Sequence, residues 1–162
     1  TINSISKTYS VTGWRVGWAI ASPAITARIR KVHDFFTVGA PTPLQHAAAF
    51  ALGFEQSYYD DLAVKYNISR QHILETLTKA GFTPYIPKGA YYVIAETNEL
   101  FDKLKATDDF DFSRKLIQKT RVATVPGFSF YSEKGIITKT VRFAFCKKME
   151  TLVQMRELLE GI

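Results

Sequence analysis

Ser4-Ile5-Ser6-Lys7-Thr8-Tyr9-Ser10-Val11-Thr12-Gly13-Trp14-Arg15-Val16-Gly17 gathers an unusual set of side chains into one short segment. Ser4 and Ser6 are two apart, so in an extended segment their hydroxyls point to the same side. Arg15 carries a planar fork of donors that suits a phosphate. Gly13 and Gly17 let the backbone turn and approach a neighbour closely. Lys7 sits among them. An amine held beside a phosphate anchor can condense with the aldehyde of a phosphorylated cofactor, and a nearby cation such as Arg15 favours the unprotonated amine that this needs.

Outward from that segment, residues 1–22 read as extended structure interrupted by a turn, with Trp14, Val16, Trp18, Ala19 and Ile20 as a strand-like run. Ser22-Pro23 is a helix start. Ile25, Ile29, Val32 and Phe36 recur at helical spacing until Gly39, Pro41 and Pro43 break the pattern. A long helical region follows over about 42–80, as one helix or as two end to end around Gly53, with Gly81 as its C-terminal cap. Beyond it the pattern alternates. Short strands are predicted at Phe82–Tyr85, Tyr91–Ile94, Val122–Val125 and Thr140–Phe145. Helices are predicted at Phe110–Lys119 and Glu150–Leu159. The second half is therefore an α/β unit.

Composition narrows the field. The chain has 162 residues, 46% of them hydrophobic and 22% charged, which is globular composition. Its net charge of +6 comes from basic residues spread between acidic ones, with no Gly-rich aromatic motif beside them, so a solvated surface is expected and no nucleic-acid partner. No apolar run reaches the roughly 18 residues of a membrane span. One cysteine, Cys146, excludes an internal disulfide framework and a multi-cysteine zinc site. It is expected to be a small buried residue. His33, His46 and His72 share no metal-ligand spacing and are expected at the surface or in helix packing, so no metal is predicted.

The pattern Ser-x-Ser-Lys followed by Gly-x-Arg-x-Gly, with eight residues from Lys7 to Arg15, resembles the pyridoxal-phosphate-dependent class I/II aminotransferases of fold type I. Further segments agree. Ala40-Pro41-Thr42-Pro43-Leu44-Gln45 resembles the family's loop into its long interdomain helix. Pro87-Lys88-Gly89-Ala90-Tyr91-Tyr92 resembles its small-domain turn and strand. Val125-Pro126-Gly127-Phe128-Ser129-Phe130 resembles its Pro-Gly loop, and Val141-Arg142-Phe143-Ala144-Phe145 the segment whose Arg holds the substrate α-carboxylate. His33-Asp34-Phe35-Phe36-Thr37-Val38-Gly39 is most similar to the aromatic, kynurenine and broad-specificity branch.

The resemblance implies the C-terminal part of a fold type I α/β transferase: the end of the large-domain sheet, the interdomain helix and the small α/β domain. Residues 1–60 would be the remnant of the cofactor-binding domain and 61–162 the small domain. Lys7 would be the Schiff-base lysine that binds pyridoxal 5'-phosphate. Ser4, Ser6 and Arg15 would hold the cofactor phosphate, with Ser4 the stronger of the two serines. Arg142 would clamp the substrate carboxylate. Alternation along its strand already places Val141, Phe143 and Phe145 on one face and Arg142 on the other. The substrates implied are an amino acid and a 2-oxo acid. Phe35 and Phe36, where dicarboxylate-selective members often bring an Arg, point to aromatic or uncharged donors. The family also implies a cytoplasmic homodimer.

Family members carry further residues upstream: the ring stacked on the cofactor, an Asp at its pyridine nitrogen, and an Asn and a Tyr at its phenolic oxygen. The chain is thus expected to be a fragment, inactive alone. On the residues themselves, the bond broken stays open. A lyase or synthase on the same scaffold, or a non-catalytic effector-sensing module, would carry the same Lys7 segment.

Overall fold

A computed structural model of the chain describes residues 1–133 and 135–162. The described residues fall into two compact units, Thr1–Tyr58 and Tyr59–Ile162.

The first unit opens with a hairpin. Strand β1 (Ile2–Ser4) pairs antiparallel with β2 (Gly17–Ala19), in the register Ile2↔Ala19, Asn3↔Trp18 and Ser4↔Gly17. Trp14 was expected within the strand-like run; instead Thr12–Trp14 makes one turn of 3-10 helix, and the strand begins only at Gly17. Helix α1 (Pro23–Phe36) starts after Ser22, whose extended backbone suits the cap position although its side chain makes no capping bond. Helix α2 (Thr42–Ala51) follows Pro41, and α3 (Gln56–Lys79) begins after the break at Gly53, so the 42–80 region is two helices end to end. Ile5, Val16 and Ala48 are buried at the centre of this unit.

The second unit is a four-stranded antiparallel sheet with helices packed on one face. Its strands are β3 (Thr83–Pro84), β4 (Tyr92–Glu96), β5 (Val125–Pro126) and β6 (Thr140–Ala144), in the order β3-β4-β6-β5. Across β4 and β6, Val93 faces Phe143 and Ala95 faces Val141, and all four are buried. Onto that face pack Ile73 and Leu77 from α3, Phe101 from α4 (Glu99–Lys103), Phe112 and Leu116 from α5 (Asp109–Thr120), and Leu152 and Leu159 from α6 (Met149–Leu159). Each large side chain so buried contributes about 1.5–3 kcal/mol.

Two further expectations differ from the structure. The predicted Val122–Val125 strand is shifted: β5 is Val125–Pro126, at the sheet edge, where a missing N–H costs no ladder bond. Cys146 is exposed, not buried. The strand alternation explains it. Phe145 turns inward and its N–H donates to the Tyr91 carbonyl (2.9 Å), so the next residue turns outward.

Candidate active site

The lysine segment is the loop of the β1–β2 hairpin. Ser4 ends β1, and the chain then leaves the extended conformation. The Tyr9 N–H donates to the Ile5 carbonyl (3.2 Å) and the Ser10 N–H to the Lys7 carbonyl (3.3 Å), closing a turn over Ser6–Tyr9. The extended geometry expected for Ser4 to Ser6 therefore ends before Ser6, which lies in the turn and is buried. Ile5, fully buried, anchors the turn beneath, and Lys7 stands exposed on it.

The return half of the loop is held by short-range bonds. Thr12 Oγ1 donates to the Ser6 carbonyl (3.1 Å), and Arg15 Nη1 donates to the Thr12 carbonyl (3.0 Å). Arg15 has φ 55° and ψ 40°, the left-handed region, which costs a non-glycine residue about 1–2 kcal/mol. Gly17 meets a different constraint: a Cβ there would lie 2.7 Å from the Asn3 carbonyl oxygen and 3.1 Å from Ser4 Cβ. The hairpin can close at Ser4↔Gly17 only because that side chain is missing.

Tyr9 braces the turn from the other side. Its ring stacks on Tyr58 (centroids 5.7 Å apart, planes at 13°) and meets Phe54 edge-on (5.8 Å). The Tyr58 hydroxyl donates to the Thr8 carbonyl (2.9 Å). The start of α3 is thus tied to the residue after the lysine, a contact fifty positions apart.

Ser4, Ser6 and Arg15 line one open groove, closed on a further side by Arg30 and His33 of α1. Lys7 is not on its wall. The groove offers hydroxyls and a guanidinium, and among the described residues no carboxylate pairs with Arg15. Such a donor-rich, cationic set fits a phosphate monoester, whose oxygens are acceptors only.

Arg142 belongs to the second unit. It lies mid-strand on the sheet face opposite the core, with Ile94 beside it on β4 and Val125 on β5. Val141, Phe143 and Phe145 are buried on the other face, as alternation requires. Its guanidinium carbon sits 4.2 Å from the Tyr92 ring centroid and 4.9 Å from that of Phe130. No carboxylate pairs with it among the described residues. Two rings hold the fork while leaving its donors available to an anion.

Sequence reasoning passed over Tyr92 and Phe130 as partners of Arg142, and passed over Asp109 entirely. Tyr92 carried a usable signal: once β4 pairs with β6, it is the diagonal same-face neighbour of Arg142.

The class I and II aminotransferase family model matches residues 1–162. A kynurenine–oxoglutarate transaminase of Dictyostelium discoideum is 36% identical over 177 aligned residues, covering 98% of this chain and 40% of the relative. A methionine aminotransferase of Escherichia coli is 32% identical, covering 99% and 40%. The solved structure of N-succinyldiaminopimelate aminotransferase from Mycobacterium tuberculosis superimposes with a TM-score of 0.88 at 28% identity, over 99% of this chain and 41% of that one. The chain belongs to the class I and II aminotransferases and has the fold of part of a fold type I enzyme. It spans about 40% of the length of the curated relatives it matches.

Proposed function

We propose that the protein containing this chain moves an amino group from an amino acid to a 2-oxo acid with pyridoxal 5'-phosphate as cofactor. The observation that carries the proposal is the groove shared by Ser4, Ser6 and Arg15 at the foot of the Lys7 turn. When bound, the cofactor supplies an aldehyde for a primary amine and a ring that accepts electrons from the substrate α-carbon.

The chain's own residues take the remaining tasks. Arg15 and the hydroxyls of Ser4 and Ser6 would hold the phosphate. Lys7 would supply the amine that meets that aldehyde and would move the substrate α-proton, as base and then as acid. Arg142 grips the substrate α-carboxylate and thereby fixes which bond to the α-carbon is presented. In this reading, residues 1–60 contribute to the cofactor domain and 61–162 form the small domain. The working protein is taken to be a cytoplasmic homodimer. Phe35 and Phe36, almost fully exposed on the last turn of α1, favour aromatic or uncharged donors over dicarboxylates.

The test uses the full-length protein mixed with pyridoxal 5'-phosphate. A visible absorption band distinct from that of the free cofactor is expected. Amino transfer to 2-oxoglutarate should be faster from kynurenine or phenylalanine than from aspartate. Lys7→Ala should abolish both band and transfer while the protein stays folded by circular dichroism. A band and turnover that persist in that variant contradict the assignment of Lys7. Equal rates with aspartate contradict the donor class.

A further inference from the structure

Asp109 is the most heavily bonded carboxylate among the described residues. It begins α5 and is 1% exposed, yet it forms no salt bridge there. Its oxygens are satisfied by chain groups distant in sequence. The Phe128 N–H donates to Oδ2 (3.0 Å), and the Thr138 N–H to both oxygens (3.1 and 3.2 Å). Thr138 Oγ1 donates to Oδ2 (2.6 Å) and the Lys139 N–H to Oδ1 (2.9 Å). One buried side chain therefore staples two segments together: the 3-10 turn Gly127–Phe130 and the entry to β6.

Both segments lead to Arg142. Phe130 ends the turn whose second residue is bonded to Asp109, and its ring covers the Arg142 guanidinium. The stapled strand entry, Thr138–Thr140, runs directly into β6, which carries Arg142. The fit is close. A Cβ on Gly127 would fall inside contact distance of the hydroxyls of Thr138 and Thr140, so the turn cannot sit there with any other residue. Those two hydroxyls are themselves bonded (2.7 Å). Phe130 is otherwise half exposed.

We infer that Asp109 is a positioning residue for Arg142: by pinning the Gly127–Phe130 turn to the start of β6, it holds the Phe130 ring on the guanidinium and so sets the affinity of the Arg142 site for a carboxylate. This rests on the reading of Arg142 as the carboxylate grip. A buried carboxylate with every donor in place is costly to disturb, since each N–H left facing a wrong partner loses its bond in a dry environment. Asp109→Asn turns one acceptor oxygen into a donor amide facing N–H groups, so the turn shifts and Phe130 with it.

The experiment measures the Kd of 3-phenylpropionate, a carboxylate without an amino group, for the cofactor-loaded full-length protein. Asp109→Asn is expected to weaken binding about tenfold, the equivalent of losing one such bond at the site. Thr138→Val, which removes the hydroxyl that donates to Asp109 and also meets the Thr140 hydroxyl and N–H, should weaken it about threefold. Phe130→Leu should weaken it too, and combining it with Asp109→Asn should add nothing, because both act through one ring. Wild-type Kd in Asp109→Asn, even with a lowered melting temperature, overturns the inference. So do multiplying effects in the double variant. If Asp109→Asn fails to fold, wild-type Kd in Thr138→Val overturns it. Arg142→Gln separates the two levels. Lost binding there with wild-type binding in the Asp109 and Thr138 variants defeats the inference alone. Unchanged binding in Arg142→Gln defeats the underlying reading and the inference with it.

Discussion

At the scale of single residues, backbone geometry decides what the hairpin loop can present. Arg15 holds a left-handed conformation, and its side chain bonds back to the Thr12 carbonyl, so its direction is set locally. Gly17 lets β2 approach β1 within a distance that no Cβ permits. Gly17→Ala must therefore push the strands apart at Ser4, because the first atom met is backbone and cannot rotate away. Overpacking of this kind costs about 1–3 kcal/mol. Because Ser4 belongs to the displaced pair and Arg15 lies two residues before Gly17, affinity for pyridoxal 5'-phosphate should fall roughly tenfold or more. Titration of the visible absorption in the full-length variant would read this directly. Affinity equal to wild type would mean that the pairing of β1 and β2 does not position the groove.

At the scale of elements, helix α5 shows how charge is used outside the core. Its cap, Asp108, accepts the Asp111 N–H (2.7 Å). Asp111 in turn faces Arg114 (2.8 Å) and Lys115 (2.7 Å), and accepts the Thr107 N–H (3.1 Å). The Arg114 and Lys115 side chains, then the Thr107 backbone, hold the Asp111 carboxyl below the usual carboxylate range. A carboxyl with a lowered folded-state pKa stabilises the fold above its unfolded value of about 3.9, and that contribution fades as pH drops toward the folded value. Asp111→Asn should thus melt earlier than wild type at pH 7, and the gap should narrow at pH 3. A gap that widens in acid would show that these partners do not stabilise the ionised form. Periodicity made α1 and α5 equally legible in the sequence, yet it does not say what covers a helix. Ile25, Ile29, Val32 and Phe36 keep helical spacing but remain exposed, whereas Phe112 and Leu116 are buried. Helix α4 escaped because five residues after a polar Asn98 hold too little periodicity to detect. The lysine loop was legible because its parts are close in sequence. Asp109 was not, because its partners stand 19 to 30 positions away and include three backbone N–H groups, which no side-chain pattern records.

At the scale of the whole molecule, the two units differ in how their apolar residues are buried. The first closes around Ile5, Val16 and Ala48. The second joins helices and strands in one continuous core, with Phe112, Phe143, Phe145, Leu77 and Leu152 almost fully enclosed. Helix α3 crosses the boundary at Tyr58, but its buried residues, Ser69, Ile73, Thr76 and Leu77, all lie in its second half. Cutting the chain after Tyr58 therefore removes no buried side chain of α3 from the second core. Every strand of the four-stranded sheet also lies beyond that point. Residues 59–162 expressed alone should keep that core and unfold in one cooperative transition in urea, with matching midpoints by near-ultraviolet circular dichroism and tryptophan-free tyrosine fluorescence, since both tryptophans, Trp14 and Trp18, precede the cut. Phe112→Ala in the same piece should lose about 3–5 kcal/mol, the cost of emptying an aromatic site in a packed interior. A non-cooperative transition in the unsubstituted piece would mean that the second unit draws its stability from residues before Tyr59.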